Sequence, residues 1–198
     1  TEITNDEYRQ FVHWVRDSIA LRLMIESEGE GSQFALPAKP GTDELQINWK
    51  KLKDLKWEDR FDETSPVHEA LAELFYDDGF GSLRTTRLHY HYSWQNIEEA
   101  ISHAHRFDVS NGRYPKGAKV RVDSFWVEDD GIHSETIERP LREPKDWNTH
   151  AIICVYPDTL VWARDFAFSY NEPLLHGYFS MPGYADYPVV GVTWEQAH

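Results

Sequence analysis

A single cysteine, Cys154, is all that the 198 residues contain. No disulfide can therefore form within the chain, and cysteine usage gives no signal about redox compartment. The residue sits in AIICVY among apolar neighbours and reads as a small buried hydrophobe on a strand; a reactive thiol needs exposure and nearby positive charge. Basic residues are also scarce: 20 Lys plus Arg stand against 34 Asp plus Glu, a net charge of −14. A field of that sign repels nucleic acid and anionic lipid, so a nucleic-acid role is not expected. No apolar run approaches the ~20 residues of a membrane-spanning helix. The opening TEITNDEY has neither the basic start nor the apolar h-region of a signal peptide. Common catalytic motifs are lacking too. No Gly-rich phosphate loop follows a strand, and there is no G-x-S-x-G elbow, Cys-x-x-Cys or H-E-x-x-H. The acids are scattered, and spacing singles out no catalytic pair.

What is abundant is aromatic: 14% of residues, eight of them Trp, with 40% hydrophobic overall. That suits a packed core or an extended recognition surface and disfavours disorder. Thr4 and Glu7 form a capping box, and Tyr8, Phe11, Val12, Val15, Ile19 and Leu23 recur at helical spacing, predicting an amphipathic helix that stops at ESEGEGS. His13 and Asp17 lie one turn apart on it and read as a polar edge in preference to a metal pair. The Pro- and Gly-punctuated stretch from Gln33 to Asp62 predicts an irregular segment anchored by Trp49, Leu52, Leu55, Trp57 and Phe61. Ser65-Pro66 opens a short second helix. Asp77 and Asp78 beside Gly79 lack the ligand spacing of a calcium loop and read as a turn.

LRTTRLHYHYSW alternates, placing Leu88, Tyr90 and Tyr92 on one face of a strand and Arg87, His89 and His91 on the other. His89 and His91 have the geometry of a two-His metal edge, with His103 and His105 nearby in sequence; no carboxylate or thiol completes a set, so no metal is expected. Ser93 is then read as the cap of a helix through Ile97, Ala100, Ile101 and Ala104. VRVDSFWV is a strand, EDDG a turn, ERPLREP a proline-flanked connection, and AIICVY a further strand. Near the end, YPVVGVTWEQAH places a short buried strand before a helix capped by the Thr193/Gln196 box. Short strands alternating with short helices, with no repeat of 20 to 50 residues, predict an irregular α+β domain.

Two stretches carry a resemblance. Glu2-Ile-Thr4-Asn5 followed by Tyr8 and Phe11, and Pro188-Val189-Val190-Gly191-Val192-Thr193-Trp194, resemble the two corresponding blocks of the formylglycine-generating enzyme, or sulfatase-modifying-factor, family. Extended over EITNDEYRQFVHWVRDSIA and VYPDTLVWARDFAFSYNEPLLHGYFSMPGYADYPVVGVTW, the match is similar to the GldK-like (PorK-like) gliding motility lipoproteins. The resemblance implies an irregular sulfatase-modifying-factor (C-type-lectin-like) fold, partial in this chain. Residues 1–26 would form an opening strand and helix, 27–148 a long insertion and 149–198 the second block, truncated at its end. It further implies a homo-oligomeric ring at the periplasmic face of the outer membrane, held through a lipid anchor outside this chain, with a GldN/PorN-type partner in type IX secretion and gliding. The family's enzymes hold copper through a cysteine pair; with one cysteine here, no catalytic residue and no cofactor carry over. The expectation is a non-catalytic scaffold. Trp126 and Trp147, in turn-rich context, are candidate exposed docking anchors, set against a competing reading in which most of Trp126, Trp147 and Trp162 are core. The alternatives are a fragment of an active formylglycine-generating oxidase and, on the lectin-like architecture, a carbohydrate- or peptide-binding module.

Overall fold

The computed structural model describes residues 2–37, 46–101, 106–128, 131–165 and 172–197. Its regular elements run α1 (Asn5–Glu28), β1 (Ala35–Leu36), β2 (Gln46–Ile47), α2 (Pro66–Leu71), β3 (His89–Gln95), α3 (Ile97–Ile101), β4 (Lys119–Glu128), β5 (Gly131–Pro140), β6 (Asn148–Cys154), α4 (Val161–Asp165), α5 (Glu172–Gly177) and α6 (Trp194–Ala197). Helices and antiparallel strand pairs are mixed without βαβ order, so the chain is α+β. It divides into two compact units, Thr1–Leu88 with Val155–His198, and His89–Cys154. Residues 27–88 thus share a unit with α1, and the structural division falls at 88/89 and 154/155.

In the first unit, α1 starts where its capping box predicts. The Thr4 hydroxyl accepts from the Glu7 amide at 3.3 Å, and the Glu7 carboxylate accepts from the Thr4 amide at 2.9 Å. Tyr8, Val12 and Val15 are buried, but burial then passes to Ala20, Leu21, Met24 and Ile25, leaving Ile19 and Leu23 half-buried. The helix is covered on more than one side: Trp49 stacks on Trp14 at 5.7 Å, the Arg16 guanidinium sits 4.9 Å over Trp57, and α2 packs along it. Gly29 ends it at φ +72°, donating to the Ile25 carbonyl at 2.9 Å.

The irregular stretch after α1 is anchored by Phe34 and Leu55, while Trp49 and Phe61 are exposed and Leu52 and Trp57 half-buried. The Ser65 hydroxyl caps α2 through the Val67 amide at 3.2 Å, with Pro66 in the first turn. Asp78 accepts from the amides of Phe80 at 2.9 Å and Ser82 at 3.2 Å, which is a turn and not a calcium loop. The Ser82 hydroxyl, with those amides, holds the Asp78 carboxyl down at about 2. Because the folded value lies below the usual 3.8, the carboxylate's support for the turn is complete above about pH 4 and is lost as pH falls through about 2. A carboxyl-carbon NMR titration is expected to find that midpoint, with the Phe80 and Ser82 amides shifting in step; a midpoint near 4 would mean that the turn is open in solution.

In the second unit β3 and β6 pair antiparallel from His89↔Cys154 to Gln95↔Asn148, and β4 and β5 from Lys119↔Pro140 to Glu128↔Gly131. Tyr90, Tyr92 and Trp94 stack along one face of β3 at 6.3 and 5.1 Å, as the alternation predicts. Ser93 does not cap a helix: it lies inside β3, paired with His150, and Asn96 opens α3 by accepting from the Ala100 amide at 3.1 Å. Ala100 packs on the core while Ile97 and Ile101 are exposed; Ala104 lies outside the described residues. The stretch GIHSETIERP is strand β5: residues 132–137 have no assignment from sequence, and Glu138, Arg139 and Pro140, expected in a proline-flanked connection, lie in the strand instead. Its residues are mostly polar, so periodicity gives little sign of it, and its register with β4 fixes it instead.

Val120, Val122, Leu141 and Trp147 form the core cluster of this unit, with Tyr114 and Ala118 packed on it. The expectation that Trp147 is an exposed anchor is corrected: it is 3% exposed. The tight turn Pro144–Trp147, whose Asp146 carboxylate accepts from the amides of Arg142 and Glu143, precedes β6 and delivers the indole to the core. There its N–H donates to the Tyr114 hydroxyl at 2.9 Å. Cys154, expected to be buried, is half-buried at the end of β6.

Candidate functional site

A helix leaves its first backbone amides without partners inside the helix. At α1 the Thr4 hydroxyl takes the Glu7 amide. The other two are taken by the end of the chain: Asn5 N–H donates to the Tyr187 carbonyl at 2.8 Å and Asp6 N–H to the Ala185 carbonyl at 3.0 Å. Beside them Thr4 and Pro188 form an antiparallel bridge, and the Val189 amide donates to the Ile3 carbonyl at 2.9 Å. The two sequence blocks therefore meet, the second serving as the N-terminal cap of the first.

Asn5, fully buried, ties this junction together. Its side-chain amide donates to the carbonyls of Tyr184 at 2.9 Å and Tyr178 at 3.2 Å. Tyr8 is buried and donates its hydroxyl to the Val155 carbonyl at 3.0 Å, with its ring edge-on to Phe179. Phe11, half-buried, packs edge-on against Tyr8 and stacks on Trp14. Arg9 adds a bond to the Phe179 carbonyl at 2.6 Å and an ion pair to Asp6.

Pro188, Val189 and Val190 do not form the expected buried strand. Only the single bridge at Pro188 is made, and both valines are half-buried. Proline has no amide to extend a ladder, and Gly191 at φ +76° turns the chain out of extended geometry. A Cβ on Gly191 would land on the Asp158 carbonyl oxygen, and the Asp158 amide donates to the Gly191 carbonyl at 2.7 Å. Thr193 and Gln196 then make the predicted reciprocal box, at 2.6 and 3.3 Å, and Gln196 also donates to the Tyr156 carbonyl at 3.1 Å. Trp194 is 71% exposed.

Sequence reading missed Tyr178. Its hydroxyl donates to the Pro188 carbonyl at 2.7 Å, and its ring packs against Trp162 and Tyr184. Burial raises its phenol above the ordinary value, so it stays the donor. The signal available was the tyrosine cluster in GYFSMPGYADY.

The hydrogen bonds of this junction run chiefly from side chains to backbone, an arrangement that clamps segments. Trp126, the other anchor candidate, is 39% exposed on β4. It stacks on His133 of β5 at 5.7 Å and donates its indole N–H to Glu128 at 2.9 Å. His89 and His91 share a face of β3, opposite Cys154 and Ile152. His13 is exposed, and Asp17 pairs with Arg16. Among the described residues no group of three His, Cys, Asp or Glu side chains is placed to hold a metal ion; His103 and His105 lie outside them. No family model, curated protein or solved structure matches the chain.

Proposed function

We propose that the chain is a non-catalytic structural subunit of the GldK (PorK) type, built on the irregular sulfatase-modifying-factor (C-type-lectin-like) fold. In this reading it stands at the periplasmic face of the outer membrane. There it forms a homo-oligomeric ring of the type IX secretion and gliding machinery with a GldN/PorN-type partner. The observation that carries the proposal is the pairing of the two blocks on which the resemblance rests: Asn5 and Tyr184, 179 residues apart, are joined by a hydrogen bond. Segments that complete each other's backbone bonding act as one unit, which is what the resemblance expects of these two blocks. Fold alone does not assign chemistry, and the scaffold reading is preferred to the oxidase alternative because one cysteine cannot supply the family's copper-holding pair.

The full-length protein is expected to co-purify with its GldN-type partner and to leave a cysteine-containing peptide unoxidised in the presence of copper. Copper-dependent oxidation of that peptide, abolished by chelation, would reject the scaffold and restore the oxidase reading.

A further inference from the structure

A recess of about 450 Å³ lies beside the turn that follows α2 in the first unit. Two arginines line it, and each is held against aromatic rings. The Arg60 guanidinium sits 4.1 Å over Phe61 and 5.3 Å from the Phe75 ring centre. Arg84 sits 4.8 Å over Tyr76. Backbone carbonyls fix one edge of each: Arg60 Nη1 donates to Trp57 at 2.6 Å, and Arg84 Nε donates to Phe75 at 3.1 Å. The His68 ring donates through Nδ1 to the Arg60 carbonyl at 2.6 Å, steadying the segment that carries the guanidinium.

Among the described residues neither guanidinium has a carboxylate partner, and Arg60 Nε is buried with no hydrogen-bond partner at all. In a chain with 34 acids and 20 Lys plus Arg, a shortage of acids does not explain this. Glu63 and Asp77 also line the recess, but both are exposed and neither forms an ion pair with Arg60 or Arg84. Gly81 shows how closely the turn covers the site. At φ +63°, a Cβ there would meet Phe61 at 2.7 Å and Arg60 Nε at 2.9 Å.

We propose that this recess binds a carboxylate carried on an aromatic or branched apolar body, either as a free small acid or as the C-terminal residue of a peptide. A guanidinium presents a planar fork that matches a carboxylate in two parallel hydrogen bonds. The aromatic walls take the apolar body, and the volume falls within the range of about 300–1,000 Å³ common for small-ligand sites. Stacking on rings holds both forks in place before the ligand arrives, which lowers the ordering cost of binding. The site is remote in character from the ring-subunit reading and does not depend on it.

The test is titration of the intact protein, followed by NMR and calorimetry, with phenylacetate, N-acetyl-Leu-Phe bearing a free carboxylate, the C-terminal amide of that peptide, and inorganic phosphate. Saturable binding of one or both carboxylates is expected, with the amide weaker by about tenfold or more, since a lost charge-assisted pair leaves the guanidinium unmatched. Tighter binding of phenylacetate points to a small acid as the source, and tighter binding of the peptide to a chain terminus. Arg84→Gln is expected to weaken binding by a similar factor. Arg60→Lys, which keeps the charge but not the fork, should weaken it several-fold with the fold intact, and exposed Arg22→Gln should leave it unchanged. The proposal is overturned by any of four results: no saturation with either carboxylate, equal affinity for the amide, phosphate binding as tightly as the carboxylates, or unchanged affinity in both recess variants.

Discussion

Gly191→Ala is expected to destabilise the first unit by about 2–4 kcal/mol, lowering its melting temperature by about 5–15 °C. Two costs combine. The residue holds φ +76°, where an L side chain is strained, and its new Cβ would press on the Asp158 carbonyl oxygen. Relief requires separating residues 158 and 191, which breaks the bond from the Asp158 amide to the Gly191 carbonyl. Asp158 is itself a hub: its carboxylate accepts from the Leu160 amide at 2.9 Å and ion-pairs with Arg164. The matched control is Gly183→Ala. There φ is not positive and no atom lies within 4 Å of the new Cβ, so a change below about 1 kcal/mol is expected. Thermal unfolding followed by near-ultraviolet circular dichroism reads both variants. Equal melting temperatures for the two would show that the close approach of residues 158 and 191 does not exist in solution.

The same residue shows where sequence reading stops. α1 and α2 are legible because their caps are local: Thr4 with Glu7, and Ser65 ahead of Pro66, satisfy amides within a few residues. β3 and β4 are legible because their side chains alternate, and β6 because of its apolar run AIICVY. β5 is not, since Ser134, Glu135, Thr136 and Glu138 are exposed and only pairing with β4 places it. Ser93 has the chemistry of a cap but is paired to His150 in a ladder, so tertiary pairing overrode a local preference. Trp147 sat between turn signals that correctly marked a turn but could not show that the turn aims its ring at Tyr114.

The candidate site divides in the same way. Thr4, Asn5, Tyr8, Pro188 and Gly191 were visible as residues of two resembling blocks. That one block caps the helix begun by the other depends on carbonyls some 180 positions away, and no spacing rule reaches that far. The arginine recess was equally invisible, because Arg60 and Arg84 converge only once the turn at Gly79 and Gly81 has closed.

Asn5→Asp is expected to destabilise the first unit by about 3–5 kcal/mol at neutral pH. The wild-type side chain donates two hydrogen bonds from a fully buried position, to Tyr184 and Tyr178. A carboxylate of the same shape donates none and sets negative charge against two carbonyl oxygens. Asn5→Ala should cost about 1–3 kcal/mol, since it leaves the Tyr178 carbonyl without its donor and the Tyr184 carbonyl with the Tyr187 amide alone, without adding charge. The two variants separate by pH. In Asn5→Asp the fold favours the neutral acid, so the folded pKa is raised above the unfolded value of about 3.9. The penalty is therefore smallest below about pH 4, where the acid is protonated and can donate one bond, and it grows as pH rises from there to the folded pKa. Urea unfolding of each variant against wild type at matched pH measures this directly. A deficit for Asn5→Asp that stayed constant from pH 3 to 7 would mean that the carboxylate is solvated, and that the end of the chain does not close over the start of α1.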